Sequence, residues 1–187
     1  MVSCFQFQDM NILQHGQSVA LWYKELYEHL AEGKPLTSQW RLPDWIYSPV
    51  IVPQLLDFDL LQIYQIYHDC GKPLCRTVDA DGRQHFPNHA EISAQRWLAC
   101  ADGSPEALQI ARLIGMDMDI HLLKADGLEE FARRPEAMSL LLTGLCELHS
   151  NAQMFGGIES TSFKIKWKQL SRMGKRIIEM CAQAPSL

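Results

Sequence analysis

The chain has 187 residues, 47% of them hydrophobic and 21% charged, with a formal net charge of −5, 11 Gly, 9 Pro and 6 Cys. That is ordinary globular usage, and it excludes the collagen-like, disordered and disulfide-scaffold classes. A chain of this length buries a sizeable core as one domain and is cramped for two. Its acidic balance argues against a surface that clings to nucleic acid throughout, while leaving local basic patches open.

Met1–Gln14 carries Asp9 and no Lys or Arg, so the charged start of a signal peptide is missing. Apolar runs such as Leu140-Leu141-Leu142 fall far short of the ~18 residues a spanning helix needs. No membrane partner is expected. Cys4, Cys70, Cys75, Cys100, Cys146 and Cys181 form no CxxC pair. This pattern predicts a reduced, cytoplasmic protein without a zinc finger.

Apolar residues recur at three- and four-residue steps almost throughout, which predicts an all-α fold. Val19, Trp22, Tyr23, Leu26 and Leu30 mark a helix over 12–30 that Gly33 and Pro35 end. Residues 36–53 hold Trp40, Trp45, Pro43, Pro49 and Pro53. Such a stretch is too aromatic for a floppy linker, and an ordered loop is expected, either packed on the core or serving as a lid. A second helix over 55–69 is stopped by Gly71 and Pro73. Asp79-Ala80-Asp81-Gly82 is a turn signal that could close a short hairpin within 75–86.

Asn88 with Glu91 predicts a capping box at the start of a third helix. Ser104-Pro105-Glu106 opens a fourth, which Gly115 ends. Arg133-Arg134-Pro135 precedes a long helix over 136–155, stopped by Gly156-Gly157, and a last helix spans 162–182. No repeat, low-complexity tract or boundary interrupts the pattern. Residues 1–187 read as a single-domain helical bundle.

The sharpest chemical feature is His68-Asp69-Cys70-Gly71-Lys72-Pro73. Where Gly and Pro loosen a helix end, adjacent side chains can converge on one point. Imidazole nitrogen plus carboxylate oxygen is a donor set for Mn, Fe, Co, Ni or Zn; the plainer alternative is a pair that caps the helix. His15 lies at the inner edge of the first helix's apolar face, His89 in the first turn of the third, and His121 after Asp117 and Asp119. Three histidines on separate elements beside a His-Asp pair are hard to explain as core residues alone. His29 and His85 read as surface residues by default, although His85 lies near enough to His89 to face a ligand. Glu147 stands amid Met138, Leu140, Leu141, Leu142, Leu145 and Leu148, so it needs a partner. That partner is a metal, a ligating histidine or, in an ion pair, Arg133, Arg134 or a lysine.

The order His15 … His68-Asp69 … Glu147 resembles the H…HD…D pattern of the HD-domain superfamily of metal-dependent phosphohydrolases. The stretch His68–Ala94, HDCGKPLCRTVDADGRQHFPNHAEISA, is similar to the HD part of bacterial tRNA nucleotidyltransferases, with its HD-x-GKP start, DG turn and later histidine. Residues 131–153 are similar to the family's last ligand helix, and the likeness covers about 12–155. It implies an HD-type bundle in which His15, His68 and Asp69 are metal ligands, and it places His89 and His121 where two-metal members have further histidines. The fourth ligand departs from the family: Glu147 stands where Asp is usual, moving the oxygen by about a bond length.

With one or two such ions bound, a metal-activated water would attack a phosphoester. Asp69 would orient or deprotonate that water. Lys72 would hold a phosphate oxygen, and Arg76 and Arg83 could offer bidentate contacts or stand solvated on a polar loop. Lys164, Lys166, Lys168, Arg172, Lys175 and Arg176 form a basic stripe suited to RNA or a nucleotide, or simply a solvated helix face. Trp167 could stack on a base or belong to the core. The expected function is hydrolysis of a phosphomonoester or phosphodiester of a nucleotide or RNA-end type substrate. Two other readings stand beside it: an HD-like nucleotide- or RNA-binding regulatory module with an altered site, and a helical interaction protein whose histidines serve the core.

Overall fold

Asn11 closes a small antiparallel ribbon, β1 (Phe5–Phe7) against β2 (Met10–Asn11), and opens the first helix of the computed structural model, which describes residues 1–7 and 9–183. Its side-chain oxygen accepts from the Gln14 backbone N–H at 2.9 Å, and the Gln14 side chain accepts from the Asn11 N–H at 3.0 Å. The reciprocal pair satisfies two donors that a helix start otherwise leaves orphaned. The helix α1 (Ile12–Glu32) ends where Gly33 turns left-handed at φ 72°.

The connection that follows passes through two 3₁₀ turns, Asp44–Tyr47 and Val52–Gln54. Glu25 accepts from the Thr37 hydroxyl (2.6 Å), the Ser38 N–H (2.9 Å) and the Trp40 indole (3.0 Å). The Trp45 indole donates to the Ser171 carbonyl at 2.9 Å and lies over Gly174, where a Cβ would sit 2.4 Å from the ring. The Trp167 indole donates to the Arg41 carbonyl at 2.6 Å. The aromatic stretch is therefore an ordered loop packed against α1 and the last helix. Trp167 likewise has its polar edge engaged by the loop and packs against the core.

The helix α2 (Phe58–Tyr67) starts three residues later than its pattern predicts, because Asp57 caps it by accepting from Leu60 N–H at 3.0 Å. A single turn, α3 (Lys72–Cys75), leads into the expected hairpin, β3 (Thr77–Val78) paired with β4 (Gln84–His85). Next come α4 (His89–Leu98) and α5 (Pro105–Met116). The capping box expected at Asn88 does not form. Its backbone is left-handed (φ 54°) rather than extended, and its side chain makes no capping bond. Ser104 does cap α5, accepting from Ala107 N–H at 3.2 Å, and the helix runs through Gly115 instead of ending there.

The short helices α6 (Asp119–Leu122) and α7 (Leu128–Ala132) precede α8 (Ala137–Ser150). The single helix expected over 136–155 breaks at Asn151 into α8 and a 3₁₀ turn, Ala152–Phe155. Last is α9 (Thr161–Gln183). The architecture is a mostly α bundle with α8 at its centre: thirteen of its fourteen residues are buried, and α1, α6, α7 and α9 all pack on it. On the other side of α1 lies α2, which carries α5 and, beyond it, α4. Among the described residues no helix is long and apolar enough to cross a membrane.

Candidate metal centre

Three glycines set how closely the site's helices approach. A Cβ at Gly16 would lie 2.2 Å from the Ile66 carbonyl oxygen, so α1 presses its backbone onto the end of α2 and brings His15 to His68 and Asp69. A Cβ at Gly71 would lie 2.4 Å from the Ser93 nitrogen, which holds α4, and with it His89, against the same corner. Gly71 reads from sequence as a helix stop, yet its backbone is right-handed (φ −85°), and closeness to α4 is what requires a glycine. A Cβ at Gly144 would lie 2.9 Å from Ile120, so α6 nests on α8 and delivers His121 to Glu147, one turn along.

The result is a cluster drawn from five places in the chain. His15 Nε2 lies 3.7 Å from Asp69 Oδ2 and 3.9 Å from Glu147 Oε1. His68 Nε2 lies 3.2 Å from Asp69 Oδ2, and His89 Nε2 is 3.6 Å from Asp69 Oδ1. His121 Nε2 is 2.7 Å from Glu147 Oε2. The ligand atoms of His15, His68 and Glu147 all lie within 4.8 Å of one another. His68 donates from Nδ1 to the Gln65 carbonyl at 2.7 Å, which turns Nε2 toward the cluster. His89 does the same through the Phe86 carbonyl at 3.0 Å.

Sequence-predicted residues divide cleanly. His15, His68, Asp69, His89, His121 and Glu147 are brought together. Lys72 also belongs to the cluster, but its ammonium is committed to the protein: it donates to Asp69 Oδ2 at 2.6 Å and to Gln6 at 2.9 Å. The hairpin residues stand apart. Arg76 donates to Gln84 at 2.7 Å, His85 pairs with Asp79 at 2.8 Å, and Arg83 is exposed. Of the partners open to Glu147, the arginines are otherwise engaged: Arg133 with Glu129, and Arg134 with Asp119 and Glu130.

Three polar residues, Asp117 and His149 buried and Gln6 half-buried, have no role in the sequence reading. Asp117 accepts from the Tyr64 hydroxyl at 2.6 Å and adds a third carboxylate near the cluster. Gln6, from β1, supplies the second acceptor for Lys72. His149 donates from Nδ1 to the Leu145 carbonyl (2.8 Å) and accepts at Nε2 from Arg41 N–H (3.0 Å). It packs among Trp22, Trp40 and Phe163, a core histidine with both nitrogens satisfied.

The electrostatics follow from three carboxylates gathered out of water. Burial disfavours the His68 imidazolium, but Asp69, Asp117 and Glu147 outweigh it and raise its pKa to about 10. Burial likewise opposes ionisation of Asp69, yet His68, Lys72 and His15 hold it well below the usual carboxylate range. Glu147 is lowered against its own burial by His121, His15 and His68. Asp117 is raised, with burial the main cause.

Beside the cluster, a cavity of about 230 Å³ opens between α6, α8 and α9; His121 and Glu147 form part of its wall. No protein-family model, curated protein or solved structure matches this chain.

Proposed function

We propose that this protein is a metal-dependent phosphohydrolase of the HD-domain type, cleaving a phosphomonoester or phosphodiester of a nucleotide or RNA-end type substrate. One observation carries the reading. Both nitrogens of His15, Nε2 of His68 and Oδ1 of Asp69 are buried with no hydrogen-bond partner in the protein. Each such group costs about 1–3 kcal/mol when left unsatisfied, so four in one pocket argue for an absent ligand rather than a structural core.

The distances support a cation. Atoms ~2.0–2.2 Å from a shared ion lie roughly 3–4.4 Å apart, and the separations of 3.2, 3.7 and 3.9 Å around Asp69, His15 and Glu147 fall in that span. Charge points the same way: three carboxylates, Asp69, Asp117 and Glu147, gather around Lys72 and the histidines His15, His68 and His121. His15, His68, Asp69 and Glu147 would hold a Mn, Fe, Co, Ni or Zn ion, and His89 and His121 are the residues available to a second.

Such an ion supplies Lewis acidity toward a phosphoryl oxygen and a bound water of lowered pKa. The chain's own groups would do the rest. Lys72 and Gln6 fix the carboxylate plane of Asp69. Its Oδ1, free of hydrogen bonds, is placed to accept the proton of the attacking water. With a single ion bound, His121, held by Glu147 at the cavity wall, would return a proton to the leaving oxygen.

A second reading rests on Lys72. Its 2.6 Å bond to Asp69 puts an internal cation where a metal-free, regulatory HD-like module would need one. Elemental analysis of tag-free protein, with His68→Ala and Asp69→Ala variants checked for folding, separates the two. Near-stoichiometric transition metal, lost in the folded variants, is the expected result. Folded wild type that stays metal-free when offered Mn, Fe, Co, Ni and Zn would leave the binding module as the account.

A further inference from the structure

The cavity shares a wall with the cluster, and on the phosphohydrolase reading it is where the organic part of the substrate sits. We infer that it takes a leaving group built on a single ring system whose far end carries a second anion, and that Lys166 binds that anion. His121 and Glu147 place the cavity directly beside the cluster. Its other walls are Met118, Ile120, Leu148, Phe155, Leu170 and Met173. Thioether and phenyl surfaces favour a flat, polarisable ring over a hydrated polyol. At about 230 Å³ the space is smaller than a typical drug-sized site of roughly 300–1,000 Å³, which fits one ring system and not a long chain.

Two polar features fix the edge and the end of the ligand. Asn151 Oδ1 is buried with no partner, an acceptor waiting for a donor on the ring's edge. The Lys166 ammonium lies over the Phe155 ring, 5.3 Å from its centroid, at the side of the cavity formed by α9. Among the described residues no carboxylate pairs with it, whereas Lys164, two residues earlier, is paired with Glu159 at 2.7 Å. A lysine is a point charge that suits phosphate or carboxylate equally. The cavity therefore recognises a bis-anionic, ring-bearing phosphoester: one anion at the cluster, the ring between apolar walls, the second anion at Lys166.

Non-hydrolysable phosphonates test this by calorimetry, so that binding is read without turnover. The probes are phenylphosphonate, 4-carboxyphenylphosphonate, 3-hydroxypropylphosphonate and inorganic phosphate, each titrated into metal-supplemented protein. Phenylphosphonate should bind more tightly than the hydroxypropyl compound, and the carboxylate should add on the order of tenfold. Lys166→Gln should erase that tenfold step and leave phenylphosphonate unchanged. Gln169→Trp, an exposed position on the cavity wall, should weaken both ring compounds and spare inorganic phosphate. If ring and hydroxypropyl probes bind alike, or Lys166→Gln leaves the carboxylate's advantage intact, the inference is wrong; inorganic phosphate that still binds would then leave the phosphohydrolase reading standing. If no metal is taken up yet the ring and anion preferences persist, the cavity assignment holds and the hydrolase reading fails. Failure of every probe to bind overturns the inference.

Discussion

Gly16→Ala is the most demanding test of how the site is assembled. The added Cβ would lie 2.2 Å from the Ile66 carbonyl oxygen and 2.8 Å from its carbon, against about 3.4 Å for ordinary contact. Both neighbours are backbone, so α1 and α2 must separate by roughly 3.4 − 2.2, or about 1.2 Å. Overpacking of this kind costs about 3 kcal/mol, and alanine's better helix propensity returns about 1 kcal/mol. The expected net loss is about 2 kcal/mol, read as a lower midpoint in urea at unchanged slope. The same shift draws His15 away from His68 and Asp69, so metal uptake should fall further than stability does. Gly115→Ala is the control. It lies inside α5, exposed, with its new Cβ 3.7 Å from the Ala94 side chain, and it should stabilise by about 0.5–1 kcal/mol. Equal effects of the two substitutions would refute the close-approach argument.

Lys72→Met strips the buried Asp69 carboxylate of its ammonium. The metal-free protein should lose about 3–5 kcal/mol, and added divalent metal should restore part of it in thermal melts. His149 is buried and its pKa is pushed down to about 4 by that burial. It is neutral when folded and protonates first when unfolded, so its contribution is whole above pH ~6.5 and lost as pH falls toward 4. That contribution is about 3 kcal/mol, and His149→Gln should flatten the urea-stability profile over that window relative to wild type. Trp45→Phe removes the bond to the Ser171 carbonyl and should cost about 1 kcal/mol. If the loop is packed and not a lid, turnover of any phosphoester substrate should stay at the wild-type rate.

Much of the cluster was legible because its residues break local rules. A carboxylate at Glu147 inside an apolar helix and a His-Asp pair at a glycine-terminated helix end are conflicts that only a partner resolves. For the hairpin residues the sequence leaves the choice open. Arg76, Arg83 and His85 stand close in sequence to Lys72 and His89, but a two-stranded ribbon carries them out to solvent, where Gln84 and Asp79 satisfy two of them. His149 was invisible beside Glu147, although two residues on a helix lie about 200° apart and so cannot share a face. Asp117 gave no signal, because one more acid near a helix end is what a solvated terminus also shows. Gly16 left only the weak trace of an isolated glycine inside a helical pattern. The close approach it permits depends on Ile66, 50 positions away by residue number, and no local pattern records that.

Because α8 is buried around nearly its whole circumference, the chain's freedom to vary in length is unevenly distributed. Losing one residue from α8 would turn everything beyond the deletion by about 100°. Glu147 would then leave His121 and His149 would leave Arg41, although no side chain had been exchanged. The hairpin tip at Ala80–Gly82, exposed and bonded mainly within itself, could lengthen with no such consequence. Descendants of this sequence would therefore differ in loop length at the hairpin while counting out the same number of residues between Ala137 and Ser150.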